Sequence, residues 1–241
     1  MQEILIIVPT FNEVENIGSL LRRLFALKMP LAVLVVDDQS PDGTAQLVKA
    51  MMPEFDRRLF IEERTQKQGL GKAYIHGFLW ARRRHFKYIF EMDADFSHNP
   101  DALPTLFKIL SDGADVVIGS RYCDGINVVN WPLSRIFLSY FASLYVRILT
   151  GMPVKDPTAG YVGYRASVLD QIGLEKIRFV GYAFQIEMKY KAWKKGAKLV
   201  EHPIIFKNRE KGVSKMNGSI IWEALFGVLF LRLQFLFKTK S

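Results

Sequence analysis

The sequence predicts an α/β fold with a mainly parallel sheet and helices on both faces. Three observations predict it: short runs that are almost wholly apolar, stretches with helical hydrophobic spacing between them, and polar clusters where the runs end. The runs are ILIIVP (4–9), AVLVVD (32–37), RLFIEE (58–63), YIFEMD (88–93) and ADVVIG (114–119). A strand covered on both faces reads as a continuous apolar run rather than an alternating one.

The elements follow in order. After the first run, Ile17, Leu20, Leu21 and Leu24 recur at helical spacing and predict an amphipathic helix. SPDGT (40–44) joins a turn to a helix start, and Ala45, Leu47, Val48 and Met51 continue it. QGLGKAYIHGF (68–78) sets Gly69 and Gly71 ahead of a further helix with Lys72 in its first turn. Such a helix start can receive phosphate on backbone N–H groups. It is not a P-loop, because the G-x-x-x-x-G-K-[ST] spacing is absent.

The second half is less regular. It holds a long amphipathic helix (133–149), the stretch DPTAGYVGYR, a helix near 183–195 and a strand in KLVEHPIIF. The final run, SIIWEALFGVLFLRLQFLF (219–237), would make a helix about 28 Å long, close to the thickness of a bilayer core. Ser219, Glu223, Gly227, Gln234 and Lys238 fall on one side of it and Arg232 on the other. That pattern predicts a helix lying in a membrane interface, with Arg232 snorkelling to headgroups. Docking on the core is the alternative, and a full span comes third. The expected division is therefore a catalytic domain over 1–215 and a membrane-associating helix over 216–241.

Composition narrows the class. Hydrophobic residues make up 49% of the chain, which excludes general disorder and supports a real core. The single cysteine, Cys123, cannot form an internal disulfide, so a reducing compartment is expected. MQEILIIVPTFNE has no basic leader pattern, which points to the cytosol or the cytoplasmic face of a membrane. The net charge of +9 is concentrated late, with 14 Lys and Arg against 4 acidic residues in 176–241. An anionic partner, lipid headgroup or phosphate, suits that segment. Nucleic acid is not expected, since no helix-turn-helix, zinc-finger or aromatic RNA-binding signature accompanies the charge.

The chemistry centres on FEMDADFSHNP (90–100). In an extended strand, residues two apart share a face, so Asp93 and Asp95 would aim both carboxylates at one spot. Two carboxylates held together raise one pKa unless a cation separates them, and hard oxygen ligands predict Mg²⁺ or Mn²⁺ beside substrate phosphates. A bare D-x-D is a weak motif. Here PTFNE and VVDDQSPDGT end two other predicted strands, and would add Asn12, Glu13, Asp37, Asp38 and Asp42 to the same crevice. So many acids at one edge suggest a cation or sugar hydroxyls to meet them. No Ser-His-Asp set and no general base are evident, and His76, His85, His98 and His202 occupy unrelated contexts.

PTFNE, VVDDQSPDGT, GLGKA, MDADFSH, GSRY and NREKGVSK, in this order, resemble the family 2 glycosyltransferases, and more narrowly the dolichyl- or polyprenyl-phosphate mannose synthases. The resemblance runs from residue 4 to about 215 and implies a GT-A-like nucleotide-diphospho-sugar transferase fold. It implies transfer of mannose from GDP-mannose to a polyprenyl or dolichyl monophosphate at a membrane surface, with release of GDP. Pro9, Thr10, Phe11 and Glu13 would line the nucleotide pocket, with Val36 and Asp38 beside base and ribose. Asp93 and Asp95 would hold the metal on the donor diphosphate, and Ala94 would add backbone contacts. Relatives often place a Gln two positions after the second Asp as third metal ligand; this chain has Ser97 there, followed by His98. Arg121 and Arg135 would face donor or acceptor phosphate, and Arg209 and Lys215 would clamp the lipid phosphate.

The missing base then has a chemical reason. A phosphate monoester has a second pKa near ~6, so it is already ionised and can attack the anomeric carbon directly. Orientation and charge stabilisation remain for the protein, and Asp95, Arg121, Arg209 and Lys215 carry them in this reading. A single displacement gives a β-linked product. A UDP-glucose or UDP-N-acetylhexosamine transferase of the same fold and an inactive membrane-peripheral scaffold are the alternatives. A nucleotidyltransferase would need a basic Gly-rich loop where PTFNE stands.

Overall fold

The computed structural model describes residues 3–208 and 227–232. The first half alternates strand and helix: β1 (Ile4–Thr10), α1 (Val14–Phe25), β2 (Leu31–Asp37), α2 (Thr44–Met51), β3 (Leu59–Glu63), α3 (Leu70–Arg83), β4 (Tyr88–Glu91), α4 (Leu103–Ser111) and β5 (Val116–Ser120). Then come β6 (Val128–Val129), α5 (Leu133–Thr150), β7 (Val162–Arg165), α6 (Ala166–Ile172), α7 (Tyr182–Lys194), β8 (Leu199–Pro203) and β9 (Phe206–Lys207).

Seven strands form one sheet in the order β3-β2-β1-β4-β7-β5-β8, and β6 pairs with β9 beside it. The pairs β1–β2, β1–β4, β2–β3 and β5–β8 are parallel, as the apolar runs predict. β7 is antiparallel to both β4 and β5 and stands between them. Its sequence partner in the sheet-making logic is steric: at Gly163 any side chain would collide with Phe90 and Leu110, so the strand fits only as glycine there. The strand expected over 198–206 breaks in two. Ile204 is buried over Gly119 and its N–H bonds the Ser120 carbonyl, after which the chain leaves the main sheet to pair with β6.

Alternate side chains of the central strands serve two cores. Ile4, Ile6 and Val8 face α1, α2 and α4, where Ile17, Leu20, Leu21, Val48, Leu103 and Leu106 meet them. Leu5 and Ile7 face α3, α6 and α7 through Tyr74, Phe78, Leu169, Phe184 and Ile186. Helices therefore cover both faces, and the loops at the C-terminal ends of the parallel strands are left to form the site.

Two helices turn apolar side chains outward. α5 packs through Ser143, Val146 and Thr150, and turns Leu133, Phe137, Tyr140, Phe141 and Ile148 outward, the first and last of these 72% exposed. Residues 227–232 are helical, with Val228 and Leu231 wholly buried in the core and Leu229 and Phe230 exposed. Core docking describes this piece; the rest of the 219–237 run, the boundary at 215, Arg209 and Lys215 lie outside the described residues. No helix among the described residues is long and apolar enough to cross a membrane.

Candidate active site

The register of β1 on β2 sets Thr10 beside Asp37, and the Thr10 hydroxyl donates to Asp37 Oδ1 at 2.7 Å. Asp37 Oδ1 and Oδ2 also take the Ser40 hydroxyl (2.6 Å) and N–H (2.8 Å). Asp42 accepts from the Thr44 hydroxyl and N–H and from the Val14 N–H, and Glu13 accepts from the Asn16 amide. Protein donors therefore meet several of the acids expected to face a cation. Their charge ties the loops after β1 and β2 together.

Asp38 has a different setting. Its buried carboxylate faces Arg64 at the end of β3, with Nε 2.8 Å from Oδ1. Burial raises the Asp38 pKa and Asp37 adds to it, while Arg64 and Lys67 pull the other way. Lys67 also lies 4.0 Å over the Phe11 ring, so PTFNE and the 64–68 segment close on each other. Pro9 and Phe11 are half-buried and Asn12 takes a left-handed φ of 56° between them and the helix. Val36 has no exposed surface, and its side chain packs in the core one residue before Asp37.

The carboxylate pair is arranged by a turn. β4 stops at Glu91, residues 94–95 turn, and Phe96 adopts φ 60°, so the extended backbone does not continue and the strand pleat does not align the two side chains. Asp93 is half-exposed and Asp95 is buried, its Oδ1 accepting the Ser97 N–H at 3.1 Å. Ala94 is buried between them. Both carboxylates, and Arg121, act on the buried ring of His98. His98 Nδ1 accepts the Asp93 N–H at 3.1 Å, and its ring stacks on Tyr161 with Phe206 edge-on. Burial pushes the His98 pKa down against the pull of the two aspartates. His98 is thus a pin beneath the turn, which sequence reasoning passed over although it directly follows Ser97.

The donor set suits a hard divalent cation. Asp93 and Asp95 offer carboxylate oxygens, and the buried Ser97 hydroxyl has no hydrogen-bond partner among the described residues. No group of three or more His, Cys, Asp or Glu that could hold an ion occurs among the described residues. The remaining ligands of an ion here would be substrate oxygens and water.

Arg121, at the end of β5, is buried and engaged. Nε donates to Asp156 Oδ2 and Nη2 to Asp156 Oδ1, both at 2.7 Å, and Nη2 also reaches the Thr158 hydroxyl at 2.7 Å. Nε and Nη2 are thereby turned to the DPTAG loop, whose Asp was the missed signal. Phe206 lies 5.7 Å and Trp131 5.8 Å from the same guanidinium. Arg135 stacks 4.0 Å over Trp131 and donates to Asn208, the last described residue before Arg209. Asp93, Asp95, Ser97, Arg121 and Arg135 are therefore drawn together around His98, Phe206 and Trp131.

The GLGKA helix start does not present a free phosphate cradle. The Gly71 N–H donates to the Val180 carbonyl at 2.9 Å, and a Cβ at Gly71 would lie 2.8 Å from the Phe184 ring. Glycine is needed there for helix packing, and Lys72 is exposed. Behind the site, Glu91 and Lys189 are both wholly buried. Burial pushes Glu91 up to about 8 and Lys189 down to about 8, each partly offset by the other's charge.

Comparison with known proteins gives this arrangement a family. The chain is 45% identical over 94% of its length to a polyprenol monophosphomannose synthase of Mycolicibacterium smegmatis, 86% of which is covered. It is 45% identical over 93% of its length to an undecaprenyl-phosphate mannosyltransferase of Micrococcus luteus, 92% of which is covered. Among solved structures, glucosyl-3-phosphoglycerate synthase from Mycobacterium tuberculosis with Mn²⁺, UDP and glucosyl-3-phosphoglycerate superposes with TM-score 0.67 at 17% identity, over 96% of this chain and 80% of that one. A mannosyltransferase from Pyrobaculum calidifontis with GDP-Man and Mn²⁺ gives TM-score 0.57 at 19% identity, over 92% of this chain and 59% of that one. At these identities the structural likeness is one of fold. The model for glycosyl transferase family 2 matches residues 5–173, and with these relatives it places the chain in that family.

Proposed function

We propose that this glycosyltransferase moves mannose from GDP-mannose to a polyprenyl or dolichyl monophosphate, with inversion to a β-linked product and release of GDP. The reading is carried by the near full-length likeness to two enzymes named for mannosyl transfer to polyprenyl carriers. In it, Pro9, Thr10, Phe11, Glu13 and Asp38 frame the nucleotide, and Arg64 keeps Asp38 in place. Asp93 and Asp95, with Ser97, hold Mg²⁺ or Mn²⁺ against the diphosphate, and Ala94 adds its backbone. The ion, when bound, offsets negative charge developing on the leaving GDP.

The acceptor phosphate is already ionised near neutrality, with a second pKa of about 6, and attacks without a base. The residues' task is to hold it in line. Arg135, Arg209 and Lys215 meet the acceptor phosphate, and Arg121, fixed by Asp156, supplies positive potential beside the turn. Residues 1–215 form the catalytic domain, and 216–241 add membrane contact.

The acceptor's lipid requires a membrane surface, and α5 supports a peripheral placement there. At about 100° per residue, Leu133, Phe137, Tyr140, Phe141 and Ile148 share one outward stripe. The helix has no acidic residue and carries Arg135 and Arg147. An exposed aromatic and aliphatic stripe fits the headgroup region of a cytoplasmic leaflet, with Arg147 near its edge and Arg135 on the opposite side against Trp131.

The test is transfer itself. Purified chain is incubated with radiolabelled GDP-mannose, Mn²⁺ or Mg²⁺ and a polyprenyl phosphate in detergent. EDTA-sensitive label in the organic phase supports the reading. Label arriving only from UDP-sugars replaces the donor, and retention of the α configuration overturns the single displacement.

A further inference from the structure

Helix α7 carries a buried polar chain that the reaction above leaves unused. Lys189 has no exposed surface, yet its ammonium donates to the Ala159 carbonyl (2.7 Å), the Gln185 carbonyl (3.1 Å) and Gln185 Oε1 (3.1 Å). The same amide donates through Nε2 to Glu91 Oε2 at 2.8 Å. Accepting from Lys189 and donating to Glu91 fixes which way the amide points. Glu91 is the last residue of β4, at the root of the turn that bears Asp93 and Asp95. Ala159 follows Asp156 and Thr158, the two residues that grip Arg121. Hydrogen bonds therefore run from the base of the carboxylate turn, through α7, to the loop that fixes Arg121.

Such a chain is a costly way to fill space. Taking an ammonium out of water costs several kcal/mol, and apolar side chains of similar volume commonly fill such positions without loss of stability. What the polar chain adds is a fixed relation between its two ends. We propose that Lys189 is a positioning residue for the transfer reaction, holding the 156–159 loop, and with it Arg121, in register with Asp93 and Asp95. The inference rests on the roles given to those residues above. Lys189 bonds Gln185 and Ala159, reaches Glu91 through Gln185, and its charge is also felt at Asp156 and Arg121; in this reading it touches no reactant.

The experiment compares wild type, Lys189→Met, and the apolar triple variant Glu91→Met, Gln185→Leu, Lys189→Met, each as the full chain. Mannosyl transfer, thermal melting and amide hydrogen exchange are measured on all three. Both variants are expected to fold, the triple variant melting at or above wild type. Turnover should fall about 10²-fold in both, as an ångström-scale misplacement does, with KM for GDP-mannose within about threefold. Exchange should quicken at 92–98 and 156–161 and stay unchanged in β1 and β2. A folded variant with wild-type turnover and wild-type exchange overturns the proposal. So does failure of both variants to fold, which would make the chain a scaffold only. Should wild type transfer no mannose, the functional reading fails instead, and exchange alone decides the inference: unchanged loops overturn it, quickened loops uphold the coupling.

Discussion

Arg121 and Asp156 meet through two parallel contacts, Nε to Oδ2 and Nη2 to Oδ1, each 2.7 Å, with Asp156 wholly buried. Asp156 Oδ2 also accepts the Arg121 N–H, so one carboxylate fixes both backbone and side chain. Removing one partner of such a pair strands the other charge. Asp156→Ala should therefore lose about 3–5 kcal/mol of stability in urea denaturation. A loss below about 1 kcal/mol, typical of exposed pairs, would show that the pair does not bear on the fold.

The same pair sets a pH signature. Burial alone would raise the Asp156 pKa, but the Arg121 charge and hydrogen bonds outweigh it and hold the carboxyl below its ordinary range. A depressed folded pKa gives stability that is present in full above the unfolded pKa, about 3.9, and lost as pH falls through the folded value. The stability difference between wild type and Asp156→Asn should be flat from neutral pH to about 5 and shrink below about 4. Shrinkage already complete near pH 6, or none in strong acid, contradicts this.

Asp95→Asn is the sharper probe of the carboxylate turn. Asparagine keeps an oxygen for the Ser97 N–H, so the turn should survive while the charge is gone. Melting should match wild type, whereas Mn²⁺-dependent affinity for GDP should drop on the order of 10²-fold, reflecting several kcal/mol of lost electrostatics. Calorimetry with and without Mn²⁺ reads it, and unchanged metal dependence would remove Asp95 from the metal site.

Gly163→Ala tests the inserted strand. A Cβ there would lie 2.7 Å from Phe90 Cδ1 and 2.9 Å from Leu110 Cδ1, in the middle of the sheet. Overpacking of this kind should cost about 1–3 kcal/mol in denaturant melts. A variant as stable as wild type would mean that the sheet yields at this point.

Phe137→Ser with Phe141→Ser tests the outward stripe of α5. Both residues are more than half exposed, so the melting temperature should hardly move. Affinity for vesicles containing anionic lipid should fall about tenfold or more, because a buried Phe contributes about 1.5–3 kcal/mol. Equal vesicle binding in a flotation assay would place membrane contact elsewhere.

Much of the fold was legible because the parallel strands are apolar on both faces and the helices between them keep their spacing. β7 was not read as a strand, since VGYR is short and its place between β4 and β5 depends on what glycine leaves room for. At the site, the residue types at strand ends were readable, but their partners were not. Asp37 and Asp42 looked set to meet a cation or sugar hydroxyls because a sequence does not reveal which N–H and hydroxyl groups will meet a carboxylate. Arg64 and Asp156 were given no role, and His98 was set aside, for the same reason: each gains its meaning from a residue distant in the chain or across a turn.

The reversed strand has a topological consequence. β5 ends and β7 begins at the same edge, and the Gly119 N–H meets the Tyr161 carbonyl at 2.8 Å where the chain returns. Everything between, β6 and α5 included, is an excursion whose two ends are stapled together by that bond and by Arg121 with Asp156. A segment closed in this way is a cassette. Because closure entropy grows only logarithmically with length, about 0.6 kcal/mol per doubling, exposed turns within the excursion can lengthen at small cost to the sheet, while Val146, Met152, Val154 and Ala159 keep it seated in the core. The half of the sheet built on β1, β2 and β3 lies outside that excursion.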